Sequence, residues 1–130
     1  MKARLLIVDD DANFIETLKD SLKIDGWDIK ILPAYSVQDA LNVLSKTTPS
    51  LIILDVQLPD MHGTELLKIL KDSARLKAVP VIFISARYTE PADRTEALLA
   101  GAGAFFSKPV NVDNLKKEIK YLLDKKNQVL

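Results

Sequence analysis

Two short apolar runs each end in acid. Leu5-Leu6-Ile7-Val8 leads into Asp9-Asp10-Asp11, and Leu51-Ile52-Ile53-Leu54 leads into Asp55. If the runs are neighbouring buried strands, Asp9, Asp10 and Asp55 converge at one edge of a sheet. Carboxylates held within a few ångströms repel each other and resist ionisation unless a cation neutralises them. The chemistry this asks for is that of a hard metal ion. Mg²⁺ takes six oxygen ligands at about 2.0–2.1 Å and binds through one or two carboxylates plus water and phosphate oxygens. Asp10 and Asp55 are the expected ligands, Asp9 acts directly or through a water, and the backbone carbonyl of Gln57 completes the set; Mn²⁺ is an expected substitute. A carboxylate can also attack phosphorus to give an aspartyl phosphate, catalysed mainly by alignment and charge neutralisation. Asp55 is the natural nucleophile. Ser85 and Lys108 follow two further apolar runs, at 81–84 and 104–106. The hydroxyl can donate to one phosphoryl oxygen and the ammonium can neutralise another, which leaves the third to the metal.

The elements that must hold these groups show as two alternating periods. The runs at 5–8, 51–54, 81–84 and 104–106, with a weaker alternating one at 27–32, predict five strands. Between them Phe14, Leu18 and Leu22 recur every four residues, and Val37, Ala40, Leu41 and Leu44 follow the helical i, i+3, i+4, i+7 template. Leu115, Ile119, Leu122 and Leu123 mark a last helix. Boundary signals agree. Asp11 suits an N-cap, Ser36 with Asp39 suits a capping box, Gly101 follows Leu98 and Leu99, and Asn111 precedes the last helix. Five βα units with continuous apolar strands predict an α/β fold, a parallel sheet covered by helices on both faces. Ligands of such sheets bind beyond the carboxyl ends of the strands, where Asp9, Asp10, Asp55, Ser85 and Lys108 all fall.

Composition narrows the alternatives. A chain of 130 residues is the size of one domain, and 48% apolar with 28% charged residues suits a globular protein. Eighteen basic residues balance eighteen acidic ones, so no excess of positive charge draws it to nucleic acid or to an anionic membrane. The absence of cysteine excludes disulfides and thiolate metal sites. Met1-Lys2-Ala3-Arg4 runs straight into a short apolar stretch, with neither a signal peptide nor a membrane span in view, and the expected location is cytoplasmic.

Four blocks together resemble a response-regulator receiver domain, the phosphoacceptor module of two-component signalling. They are Ile7-Val8-Asp9-Asp10-Asp11, the stretch from Asp55 through Gln57, Pro59, Asp60 and His62 to Gly63, Ile84-Ser85-Ala86, and Gly101-Ala102-Gly103-Ala104-Phe105-Phe106-Ser107-Lys108-Pro109. The resemblance implies a flavodoxin-like (βα)5 doubly wound five-stranded parallel sheet, strand order 2-1-3-4-5, over residues 1–126 with 127–130 as a tail. It implies transfer of a phosphoryl group to Asp55 from a sensor histidine kinase or histidine phosphotransfer protein, with Ser85, Ala86 and Lys108 binding the group. It further implies a switch at Ser85 and Phe105, a changed surface on helix four, strand five and helix five, and a downstream output domain or protein that reads it. That surface also serves homodimers in the family. The module would act only on its own phosphorylation and dephosphorylation, with Gln57 and Arg87 tuning the latter and Pro59, Gly63 and Pro109 shaping the loops. Ser85 lacks the methyl of the threonine common at its position, which loosens its rotamer. Phe105 lacks the phenol many relatives carry.

Plainer readings stand beside these. His62 reads as an exposed loop residue, Trp27 as a packing residue after Gly26, and Arg87 as a surface charge as readily as a regulator. Lys116, Lys117 and Lys120 read as the wet face of the last helix, and Tyr121 with them as a less favoured partner contact. Two other functions were open to the same fold. A nucleotide binder needs a Gly/Ser/Thr-rich loop after the first strand, where this chain has three aspartates. A phosphoester-cleaving enzyme needs a second acid or base beside the nucleophile, and Gln57 cannot serve.

Overall fold

Leucines, isoleucines and valines dominate the strands, and alternate residues of each point to opposite faces, which is what divides the core in two. The computed structural model describes residues 2–86 and 91–127. In chain order the elements are β1 (Ala3–Val8), α1 (Ala12–Ile24), β2 (Ile29–Ala34), α2 (Val37–Leu44), β3 (Leu51–Asp55), α3 (Gly63–Asp72), β4 (Val81–Ser85), α4 (Pro91–Leu99), β5 (Ala104–Ser107) and α5 (Val112–Asn127). All strand pairs are parallel and the order is β2-β1-β3-β4-β5, the expected topology. Leu6, Val8, Ile52, Leu54, Val81, Phe83 and Phe105 face one layer with α2, α3 and α4. Leu5, Ile7, Leu51, Ile53, Ile82 and Ile84 face the other, against α1 and α5. Strands β3 and β4 are buried along their whole length, as central parallel strands should be.

Helix ends follow local rules with two departures. Asp11 caps α1 by accepting from the Asn13 and Phe14 N–H groups at 3.0 and 3.3 Å, and Asn111 does the same at 3.0 Å from Asn114. Ser36 accepts from the Asp39 N–H at 3.1 Å, but the Asp39 carboxylate accepts from Tyr35 rather than from Ser36, so the box closes one residue early. The N–H groups of Val37 and Gln38 donate instead to Asp60 at 2.9 and 3.0 Å, a carboxylate from the loop before α3. Those contacts hold the Asp60 carboxyl below its ordinary pKa, the Val37 bond foremost.

Strand β2 begins two residues later than its alternation suggests. Gly26 takes a left-handed φ of 73°, and the N–H groups of Gly26 and Trp27 bond back to Lys23 and Leu22. This paired closure of a helix C-terminus leaves Trp27 packed against the α1/α5 core, and pairing with β1 starts at Ile29. Lys116 also departs from expectation. Its side chain is only 14% exposed and its ammonium pairs with Asp25 at 2.5 Å, so it ties α5 to the end of α1, while Lys117 and Lys120 are exposed as predicted. Tyr121 is exposed as well.

Candidate functional site

Register brings the strand ends together. Val8 pairs with Leu54 across β1 and β3, which sets Asp9 beside Asp55, and Ser85 closes β4 one position beyond Ile84, the partner of Asp55. Asp9, Asp55 and Ser85 are the buried polar or charged residues among those described. Burying charge is costly unless partners replace the lost water. Here the cost falls at one place, which marks it as a site.

The two buried carboxylates are held alike. One oxygen of each is tied locally, Asp9 Oδ1 by the Asp11 N–H and Asp55 Oδ1 by the Gln57 N–H, both at 2.9 Å. The other turns to Lys108, whose Nζ lies 2.9 Å from Asp9 Oδ2 and 3.4 Å from Asp55 Oδ2. The Lys108 N–H in turn donates to Ser85 O at 2.8 Å, and the peptide between Lys108 and Pro109 is cis. Burial raises the Asp9 pKa to about 6, with the Asp55 charge adding to the effect and Lys108 and the Asp11 N–H opposing it. For Lys108, burial works downward but the two carboxylates outweigh it, and the net shift is upward.

Asp9, Asp10 and Asp55 each present a carboxylate oxygen within 4.8 Å of the others, with Asp10 exposed at the mouth. Asp9 Oδ2 is buried and has the Lys108 ion pair without an aligned hydrogen bond. An all-oxygen donor set with one such under-satisfied anion fits a hard divalent cation. The cluster therefore could bind a metal.

The segment from Gln57 to Gly63 is folded tightly under the site. Gln57 and His62 face each other in an antiparallel bridge. A Cβ on Gly63 would stand 2.6 Å from Asp55 O and 2.8 Å from Val56 Cα, both backbone, so glycine is required there for close approach. His62 is not the exposed loop residue expected. It is half-buried and caps α3, its Nδ1 accepting from the Thr64 N–H at 3.3 Å and lying 2.6 Å from Thr64 Oγ1. Pro59 shares an open groove with Asp10, Gln57, Leu58 and His62. Phe105 is buried and lines a small cavity of about 50 Å³ with Val56, His62, Thr64, Phe83, Glu96 and Ala97. Ala86 is exposed beside Ser85. Arg87 lies outside the described residues.

Sequence reasoning missed Asp60 and the cap role of His62. A hydrogen-bonding residue at position 62, directly before a glycine and the apolar pattern of α3, was the available signal for the second. Nothing local announces the first, because its partners lie 22 and 23 positions away.

The family model for the response regulator receiver domain matches residues 5–120. The response regulator Rre1 of Synechocystis is 34% identical over 119 residues, 92% of this chain and 51% of that protein. The polar-differentiation response regulator DivK of Brucella ovis is 30% identical over 95% of this chain and 98% of its own length. Among solved structures, a CheY-like response regulator receiver domain protein from Methanospirillum hungatei superposes with a TM-score of 0.86 at 30% identity, covering 98% of both chains. The chain spans about half the length of several longer relatives, 45% in the case of the transcriptional regulatory protein TrcR of Mycobacterium tuberculosis.

Proposed function

The chain belongs to the response regulator receiver domain family and is a phosphoacceptor domain of two-component signalling, and from that premise we propose that Asp55 is its phosphoacceptor, served by Mg²⁺, Ser85, Ala86 and Lys108. The observation that carries the reading is the shared hold of Lys108 on Asp9 and Asp55 beside a cluster of three carboxylates. The domain is a signalling module, and among its described residues no helix is long and apolar enough to cross a membrane.

In this reading Asp55 Oδ2 attacks phosphorus. The new O–P bond forms as the bond to the leaving group breaks, and the electron pair leaves with the imidazole of a phosphohistidine or the carboxylate of an acyl phosphate. The Gln57 N–H keeps Asp55 Oδ1 fixed, so the attacking oxygen is aimed by its own strand end. Lys108 exchanges its contact with Asp55 for a phosphoryl oxygen while Asp9 retains its other side. The Ser85 hydroxyl and the Ala86 N–H donate to the remaining oxygens. Asp9, Asp10, Asp55 and the Gln57 carbonyl would hold Mg²⁺, which neutralises charge on the transferred group and orients it.

The donor is a sensor histidine kinase or a histidine phosphotransfer protein, and the output is an effector domain or protein. Ser85 and Phe105 form the switch, Gln57 and Arg87 set the lifetime of the acyl phosphate, and the domain spans residues 1–126. The cavity beside Phe105 supports a switch there, since it leaves space into which a neighbouring side chain can move. Reversing a 1:99 population takes roughly 5.5 kcal/mol, more than one hydrogen bond supplies, so several phosphoryl contacts act together. The domain works inside the cytoplasm, free of membrane and nucleic acid, and the surface of α4, β5 and α5 carries any homodimer.

The test is incubation with acetyl phosphate, with and without Mg²⁺, followed by intact mass. The expected outcome is a metal-dependent gain of one phosphoryl group that Asp55→Asn abolishes. An equal gain in the variant, or no gain in folded wild-type protein that binds Mg²⁺, would overturn the assignment.

A further inference from the structure

Lys108 has a third neighbour besides its two carboxylates. Its Nζ stands 5.2 Å from the centre of the Phe14 ring, inside the roughly 6 Å over which an aromatic face attracts a cation. Phe14 opens the apolar stripe of α1, yet it is only half-buried, whereas Ile15, Leu18 and Leu22 are fully buried. Its ring packs at the margin of the α1/α5 core and shares a groove wall with Lys108, Ala86 and Pro109. An ammonium has three donors. Asp55 accepts from one of them and Asp9 pairs with the charge, and the ring occupies a flank of the ammonium that water would otherwise solvate.

We infer that Phe14 is a positioning residue for phosphoryl transfer: its ring face keeps the Lys108 ammonium partly dehydrated and aimed into the crevice while that ammonium exchanges Asp55 for a phosphoryl oxygen. The inference rests on the assignment of Asp55 as phosphoacceptor. Its physical basis is the shape of the attraction. A hydrogen bond to a fixed oxygen weakens steeply with misalignment, but a ring quadrupole is spread over the whole face, so the ammonium can shift sideways without losing this neighbour. Dehydration strengthens its hold on the incoming anion, because charge interactions grow as the local dielectric falls. Leucine would fill much of the same space with no quadrupole, and water would then compete for the ammonium. Position 14 is exposed enough, on the first turn of α1, that leucine is compatible with the fold.

The experiment compares wild type, Phe14→Leu and Phe14→Tyr as full chains. It reads the rate of phosphorylation by acetyl phosphate with Mg²⁺ from intact mass, and the ring-current shift of the Lys108 ε protons by NMR in the unmodified protein. The expected result is a slowing of about threefold to tenfold in Phe14→Leu, restoration by Phe14→Tyr, and an upfield ε-proton shift in wild type and Phe14→Tyr that Phe14→Leu lacks. A purely structural role would lower stability without this pattern. Equal rates in wild type and folded Phe14→Leu, or a slowing that tyrosine does not repair, overturns the role of the ring while Asp55 stands. No phosphoryl gain in wild type overturns the phosphoacceptor assignment and this role with it. Should Phe14→Leu fail to fold, unshifted ε protons in wild type overturn the inference on their own.

Discussion

The α1 side of the sheet and the α4 side start from the same alternation of strand residues but are closed very differently. Helix α1 sets Ile15, Leu18 and Leu22 into its layer, each 1% exposed. Of the described side chains of α4, Ala97 alone is buried, while Leu98 and Leu99 are 45% and 83% exposed. Burying a large aliphatic side chain stabilises by about 1.5–3 kcal/mol, against roughly 0.8 kcal/mol for a single methyl(ene) group. By its described side chains, α4 therefore contributes much less apolar burial than α1. The cavity beside Phe105 lies on the α4 side, bordered by Glu96 and Ala97. The contrast is one of helices rather than of whole layers, because α2 and α3 beside α4 bury Val37, Ala40, Leu44, Leu66, Leu67 and Leu70.

The sharpest way to break this comparison is paired truncation. Leu18→Ala should cost about 2–5 kcal/mol, the range for emptying a buried leucine site, and Ala97→Gly about 1–2 kcal/mol, from helix propensity and one methyl. Urea unfolding of both variants decides it; similar losses would mean α4 is held by more than its described contacts. A second substitution probes the joint between the site and the α4 side. Gly63→Ala forces a methyl against the backbone of Asp55 and Val56 and should lower stability by about 1–3 kcal/mol, as overpacking does. It should also weaken Mg²⁺ binding, measured by calorimetry, because the strand end that carries Asp55 must move.

The smallest expected effect concerns Asp60, which stitches the loop before α3 to the start of α2. Its carboxyl pKa is lowered in the fold, chiefly by the Val37 N–H. The stabilisation is thus fully present above the ordinary carboxylate pKa near 4 and disappears as pH falls through the lower folded value. Asp60→Ala should lower the melting temperature at neutral pH, and the gap to wild type should close on acidification below about pH 4. A gap that persists in strong acid would mean that the contact is not electrostatic.

Much of this was legible in the chain. Strands β1, β3, β4 and β5 are continuous apolar runs, and a run closed by Asp, Ser or Lys marks a strand end whether or not its neighbours are known. Asp11, Ser36 and Asn111 were readable as caps because their partners lie two or three residues on. Trp27 was readable as a packing residue at the helix-to-strand turn after Gly26, but its alternation with Ile29 and Ile31 also imitates a strand, which puts the start of β2 two residues early. Lys116 looked like surface charge because a lysine's spacing on its own helix says nothing of an aspartate 91 positions earlier.

The sequence by itself determined that Asp9, Asp10, Asp55, Ser85 and Lys108 end up at one sheet edge, because strand period and burial are local properties of the chain. Only the tertiary structure decided how they are paired. Asp9 beside Asp55, Lys108 between them under the Phe14 ring, and Asp60 at the head of α2 depend on register and on crossings between distant segments. Distance and burial set the strength of such charge contacts, and neither can be read along a chain.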